Sequence, residues 1–359
     1  MSALVVHSGG FPALGPPEGS FYVVTNPELI GEIELTRDSG YRDCRVIPWP
    51  VGQTFEQLLA AEIPEQACVV VLSPGRFFRS PPDIGRRKVM VFACASTPTS
   101  LDVLGEFIAA AGRVAPDKEE SRAIKFFERA RAAELLRIED PQARTRARFW
   151  HLDDSYEWHQ QAGPLAWGDQ QIVPSGELSA TPGDIMEFDG SRRLTITGTL
   201  ALHGAVIVHG DATVDLADQA RIHAALDALT RHPVIATLEL GEILELRAAD
   251  AGGQVAVDML EELFRGDSRY RIVQEIGFGI NDSFEIAPGN VGMNEPYGGA
   301  HGVVHFGVGL TPDTRYALTF LAPHSVVFGQ GDEVLIGDPG ALIGKRMRVR
   351  KTAACPCAE

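Results

Sequence analysis

The sequence predicts an α/β N-terminal domain followed by an α+β C-terminal domain with a mainly antiparallel sheet, and two rhythms in the chain carry that reading. Over the first 100 residues short apolar runs recur at Phe21 to Val24, Cys44 to Ile47, Cys68 to Leu72 and Lys88 to Cys94, each closed by Pro, Gly or Ser. Runs of that length with no polar alternation belong to strands buried on both faces. Helical spacing lies between and after them, at Thr54 to Ala61 and at Leu101 to Gly112, where Leu101, Leu104, Ile108 and Ala111 share a face. The pattern is βαβ-like, with a largely parallel sheet.

From residue 194 the rhythm becomes alternating. Leu194, Ile196, Leu200, Leu202, Val206 and Val208 occupy even positions, the signature of a half-buried meander, with Gly198 and Gly204 at bends. Helices are expected at Asp215 to Arg231 and Val255 to Phe264. Further strands are expected at Val234 to Leu246, Arg271 to Ile280, Gly302 to Leu310 and Tyr316 to Ile336. Joining the halves, Asp117 to Arg148 is charged and Ala/Glu/Arg-rich, with Ile124, Phe127, Ala130, Leu135 and Ile138 near helical spacing, and reads as one long amphipathic helix. The aromatic linker from Trp150 to Trp167 then places a boundary near residue 165. The expected division is 1–165, 166–350 and a flexible tail at 351–359.

Composition narrows the partners. The chain has 359 residues, 45% of them hydrophobic, and a formal net charge of -16, which repels a phosphate backbone and argues against nucleic acid. No run approaches the ~20 apolar residues of a membrane helix. The N-terminus lacks the basic flank and long apolar stretch of a signal peptide, so a cytoplasmic location is expected.

Cys44, Cys68, Cys94, Cys355 and Cys357 are an odd set. Reduced, structural thiols are expected of the first three; Cys355-Pro356-Cys357 could bind a metal or form a redox pair, but one residue between the thiols and no further cysteine cluster favour an idle tail. The sequence has no GxxxxGK[ST], GxSxG or HExxH motif and no paired CxxC, and Gly277-Phe278-Gly279 lacks the third glycine of a dinucleotide fingerprint.

Three further segments are informative as an ordered set: Pro174-Ser175-Gly176-Glu177 with Ala180-Thr181-Pro182; Glu275 to Asn281, Asn294-Glu295 and Gly302 to Gly309; and Glu333 to Asp338 with Gly340 and Gly344. Together they resemble the metal-ligand framework of M29-type aminopeptidases, whose relatives include dihydroxypyridine-cleaving dioxygenases. The likeness covers roughly residues 170 to 347. It implies ligand positions at Glu177, Glu275, Glu295 and His305. The resemblance also implies a closing Ser-x-x-His-x-Asp. The corresponding stretch here is Ser325-Val326-Val327-Phe328-Gly329-Gln330, so Phe328 and Gln330 stand where the histidine and aspartate would be.

A phenyl ring cannot coordinate a metal and an amide does so weakly, so a two-metal site is not expected. Nor does His301 substitute, because four strand residues separate it from His305 by about 13 Å. Taken singly, each residue has a bland reading: Glu177 as a turn cap, Glu275 and Glu295 as solvated acids, His305 as a core histidine. Their order within the framework favours function.

The resemblance implies an aminopeptidase-like pseudoenzyme with no cofactor, whose cleft of Glu177, Glu275, Glu295, His305, Phe328 and Gln330 binds a peptide. Degenerate members of this kind act as accessory proteins in ribosomal-peptide natural-product pathways of the crocagin type. The partners so implied are a precursor or leader peptide, other pathway enzymes and a second copy in a homodimer. The alternative is an enzyme, either a one-metal hydrolase or oxygenase, or a metal-free catalyst using Glu275, Glu295 or His305 as acid and base.

Overall fold

The computed structural model describes residues 3–76, 78–92, 96, 99–183, 192–210, 214–283, 285–299 and 301–338. Cys94, Cys355, Cys357, Gly340, Gly344, the expected tail and the end of the 88–94 run lie outside them. The N-terminal strands are β1 (Leu4–His7), β2 (Ser20–Thr25), β3 (Ile33–Thr36), β4 (Asp43–Pro48), β5 (Ala67–Leu72) and β6 (Lys88–Phe92), with helices α1 (Phe55–Glu62) and α2 (Leu101–Arg113). Helix α3 (Pro116–Ala132) leads into β7 (Leu136–Asp140), β8 (Thr145–Phe149), β9 (Glu157–Gln161), β10 (Gln170–Val173) and β11 (Glu177–Thr181). Then follow β12 (Ile196–Leu202), β13 (Val206–His209), α4 (Leu216–Leu226), β14 (Val234–Glu239), β15 (Glu242–Ala248), α5 (Gln254–Gly266) and β16 (Val273–Gly279). The described chain closes with β17 (Val303–Val308), β18 (Ala317–Ala322), β19 (Val326–Phe328) and β20 (Val334–Ile336).

A parallel five-stranded sheet, ordered β10-β6-β5-β2-β4, forms the N-terminal layer. Its central strands β2, β5 and β6 read as nearly unbroken apolar runs because helices cover both faces: Phe21 and Val23 pack with Leu104 and Phe107 of α2, while Tyr22 and Val24 pack with Phe55 and Leu58 of α1. Thr54 starts α1 with a reciprocal cap, its side chain accepting from the Gln57 amide while Gln57 accepts from the Thr54 amide.

β1 and β3 pair in parallel as a small sheet of their own, and two antiparallel sheets build the rest, one of seven strands (β15-β14-β12-β8-β7-β19-β20) and one of six (β13-β18-β17-β16-β11-β9). One hydrophobic core joins them, including Phe149, Leu136 and Ile138 from the first and Phe278, Phe306 and Phe320 from the second. This mixed α/β architecture agrees with the expected class. Cys44 and Cys68 are free thiols, as expected. No helix among the described residues is long and apolar enough to cross a membrane.

Three expectations need correction. The segment from Asp117 to Arg148 is not one helix: α3 ends at Ala132, and Leu136, Ile138 and Asp140, then Thr145, Ala147 and Phe149, alternate inward as a hairpin. Arg and Glu residues at the outward positions gave a helical composition to a segment whose burial has period two. Within α3 the buried face is Ala123, Phe126 and Ala130, and Ile124 is exposed. The division near residue 165 is also not a single crossing, since β7, β8 and β9 already belong to the antiparallel sheets and β10 returns to the parallel one. Finally, the expected 194–208 meander is split, β12 joining the seven-stranded sheet and β13 the six-stranded one.

Candidate functional site

Register places the site on one face of the six-stranded sheet. Opposed residues on neighbouring strands share a face, as do residues two apart. Glu177 opposes Gly279, His305 opposes Gly277, Gly307 opposes both Glu275 and Thr319, and Ala317 opposes His209. Five strands therefore deliver Glu177, Glu275, His305, Thr319 and His209 to one polar face. Leu178, Phe278, Phe306 and Phe320 point to the other and fill the core. Glu295 arrives from a loop, just after the 3-10 turn Gly292–Asn294.

Two glycines make room for this set. A Cβ on Gly277 would collide with the His305 imidazole. One on Gly307 would sit 2.9 Å from Glu275 Oε2. Each large polar group thus lies over a cross-strand glycine, which explains why β16 and β17 each carry at this point a residue that packs poorly in strands.

The donor atoms of Glu177, Glu275 and His305 lie within 4.8 Å of one another. His305 is fully buried, and its Nε2 is 3.5 Å from Glu177 Oε1, an ion-pair separation beyond good hydrogen-bond length. Neither of its ring nitrogens has a hydrogen-bond partner among the described residues. Beside this group, His209 Nε2 lies 2.8 Å from Glu295 Oε1, which also accepts from Thr319 Oγ1 at 2.7 Å.

Burial and proximity set the protonation states. Burial, with the Glu177 charge behind it, pushes the Glu275 carboxyl up to about 8. For His305 burial acts downward, but Glu177, Glu275 and Glu295 outweigh it and push the imidazole up to about 9. In the other pair, burial opposes the charged forms of His209 and Glu295. Their mutual attraction prevails, raising the imidazole and lowering the carboxyl.

The loop that leads into β11 and Glu177 is tied from below. Ser175 Oγ donates to the buried Glu119 carboxyl at 2.7 Å, and Asn281 Nδ2 donates to the Ser175 carbonyl at 2.5 Å. Burial pushes Glu119 up to about 6.

Of the residues expected from sequence, Glu177, Glu275, Glu295 and His305 come together. Phe328 and Gln330 do not join them. Phe328 ends β19 in the seven-stranded sheet, opposite Arg137, whose guanidinium lies 4.6 Å from the ring centroid, and Gln330 is exposed in a 3-10 turn. The strand that flanks β17 is β18, and its positions on the polar face are Ala317, Thr319 and Leu321. The residues lacking there are the ones a further ligand pair would require. Sequence reasoning missed His209 and Thr319. His209 directly follows the alternating run that ends at Val208, but only the sheet order brings it near Glu295.

A divalent ion fits part of this donor set: Glu177, Glu275 and His305 could hold one, while β18 supplies no carboxylate or imidazole for a second.

No protein-family model matches the chain, and no curated protein matches it. Among solved structures it is similar to the 2,5-dihydroxypyridine dioxygenase from Pseudomonas putida KT2440, at 13% identity over 92% of each chain with a TM-score of 0.53. It is also similar to wild-type AmpT from Thermus thermophilus, at 12% identity over 88% of this chain and 91% of that one, with a TM-score of 0.45. The first likeness shows a shared fold along nearly the whole chain.

Proposed function

We propose that this chain binds an extended peptide without hydrolysing it, and that the polar face of the six-stranded sheet anchors the ligand. The observation that carries this reading is internal compensation: each imidazole of the cluster faces a carboxylate, His305 with Glu177 and His209 with Glu295, while β18 offers Thr319 and Ala317 toward the same face. Protons shared between these pairs supply the positive charge that buried carboxylates need, so the cluster does not depend on metal ions for its charge balance. A ligand ammonium or amide N–H entering among Glu177, Glu275 and Glu295 would meet acceptors in a water-poor setting, where such bonds are strongest. The occupant implied by the sequence resemblance is the precursor or leader peptide of a ribosomal natural-product pathway, presented to the other enzymes of that pathway.

A one-metal enzyme is the second reading, favoured by the close approach of Glu177, Glu275 and His305 and by the free ring nitrogens of His305. Such an ion would supply Lewis acidity. Glu295 and His209, in direct contact, would hold and move a proton beside it.

Metal analysis of untagged protein purified without chelator, combined with mass spectrometry of peptides captured from a synthetic library, tests the choice. Peptide binding expects well under one Zn, Fe, Mn or Co per chain, captured peptides of unchanged mass, and capture lost in Glu177→Gln. A stoichiometric ion that requires His305, together with altered peptides, would establish the enzyme instead.

A further inference from the structure

A cleft of about 430 Å3 lies away from the cluster residues, beside β9. Its walls come from Phe127 and Arg131 near the end of α3, from Asp153 and Asp154 in the loop after β8, and from Trp158 and Gln160 of β9. Phe127 and Trp158 meet edge to face at 5.5 Å. The Arg131 guanidinium, held over Phe127 at 6.0 Å, adds one positive charge to these walls, outnumbered by the carboxylates of Asp153 and Asp154.

The backbone gives this cleft a second feature. β9 is the terminal strand of its sheet, paired in regular antiparallel register with β11 from Glu157 opposite Thr181 to Gln161 opposite Glu177. No other described strand pairs with its outer edge. Such an edge recognises an extended chain through main-chain hydrogen bonds, and pockets beside it select alternate side chains. Trp158 and Gln160 are two apart and share the cleft side of the strand, so a strand added there would send every second side chain toward the aromatic corner and Asp153 and Asp154.

We infer that β9 and this cleft receive an extended peptide with basic residues at alternate positions, added as a seventh strand of the sheet. Aromatic walls with carboxylates beside them suit guanidinium or ammonium groups. The chain's net charge of -16 favours approach of a basic partner. The inference goes beyond the cluster reading: Trp158 opposes Ala180 and Gln160 opposes Leu178, which puts the cleft on the core face of the sheet, the face away from Glu177.

The test uses the full chain and two probes, acetyl-Ala-Arg-Ala-Arg-Ala-amide and its Glu-for-Arg counterpart, with calorimetry and hydrogen exchange. The arginine probe should bind better than the glutamate probe and slow exchange of amides within 157–161. Asp154→Asn should weaken it by about threefold, the size of one exposed charge interaction. N-methylating alternate backbone nitrogens of the probe should weaken it further by removing ladder hydrogen bonds. Retention of that binding in Glu177→Gln would assign it to the cleft independently of the cluster. Equal binding of the two probes, unchanged exchange in 157–161, or binding that requires Glu177 but not Asp154 would overturn the proposal. The last of these outcomes would leave the cluster reading intact.

Discussion

Gly277 lies directly opposite His305 across the β16–β17 ladder, and a Cβ at that position would collide with the imidazole. His305 owes its place over the sheet to the absence of a neighbouring side chain as much as to its own strand.

Replacing Gly277 with Ala should therefore push His305 off the polar face. The strain should cost about 1 to 3 kcal/mol, the usual range for overpacking a dense interior. Urea denaturation would measure that loss, and ligand capture by the folded fraction should fall to the level of His305→Ala. Full capture by a folded Gly277→Ala variant would show that His305 does not anchor the ligand.

Stability should decline as pH rises from 7 toward 9.5. Glu275 is raised from 4.5 to about 8, so its contribution is complete below pH 4.5 and is lost as pH passes 8. His305 is raised from 6.5 to about 9, so its contribution is complete below pH 6.5 and is lost as pH passes 9. Both act in the same direction. Denaturation midpoints across this window should fall in the parent and fall less in Glu275→Gln, which has no proton to lose.

Metal affinity should respond to β18 and not to β19. Ala317→His with Thr319→Asp places two donors on the polar face, two residues apart, beside Gly307 and opposite β13. Calorimetric titration with zinc should show tighter binding in this double variant, and His305→Ala should abolish the gain. The pair Phe328→His and Gln330→Asp should give no such gain, because position 328 belongs to the other sheet and position 330 is exposed.

Phe328→Ala should act on the fold. The ring is 7% exposed and lies against the Arg137 guanidinium. Its loss should cost about 2 to 4 kcal/mol by cavity formation and lost ring contact. Capture by the folded variant should match the parent.

The sequence by itself determined much of the local structure. Unbroken apolar runs such as Cys68 to Leu72 marked strands covered on both faces, because burial on both sides leaves no polar alternation. The resemblance of the segments around Glu177, Glu275, Glu295 and His305 to the M29-type framework implied residues that do gather in space. Tertiary structure decided the rest. Sheet order, which no local pattern encodes, put β18 beside β17 and sent β19 to another sheet, so Thr319 and not Phe328 faces the cluster. His209 meets Glu295 across 86 residues for the same reason. Composition misread Leu136 to Phe149 because Arg and Glu at outward strand positions resemble a helix surface until a partner strand reveals which side is buried. Local chemistry fixes whether a segment bends, extends or coils, whereas the neighbours of a strand depend on long-range pairing, and here that pairing assembled the site.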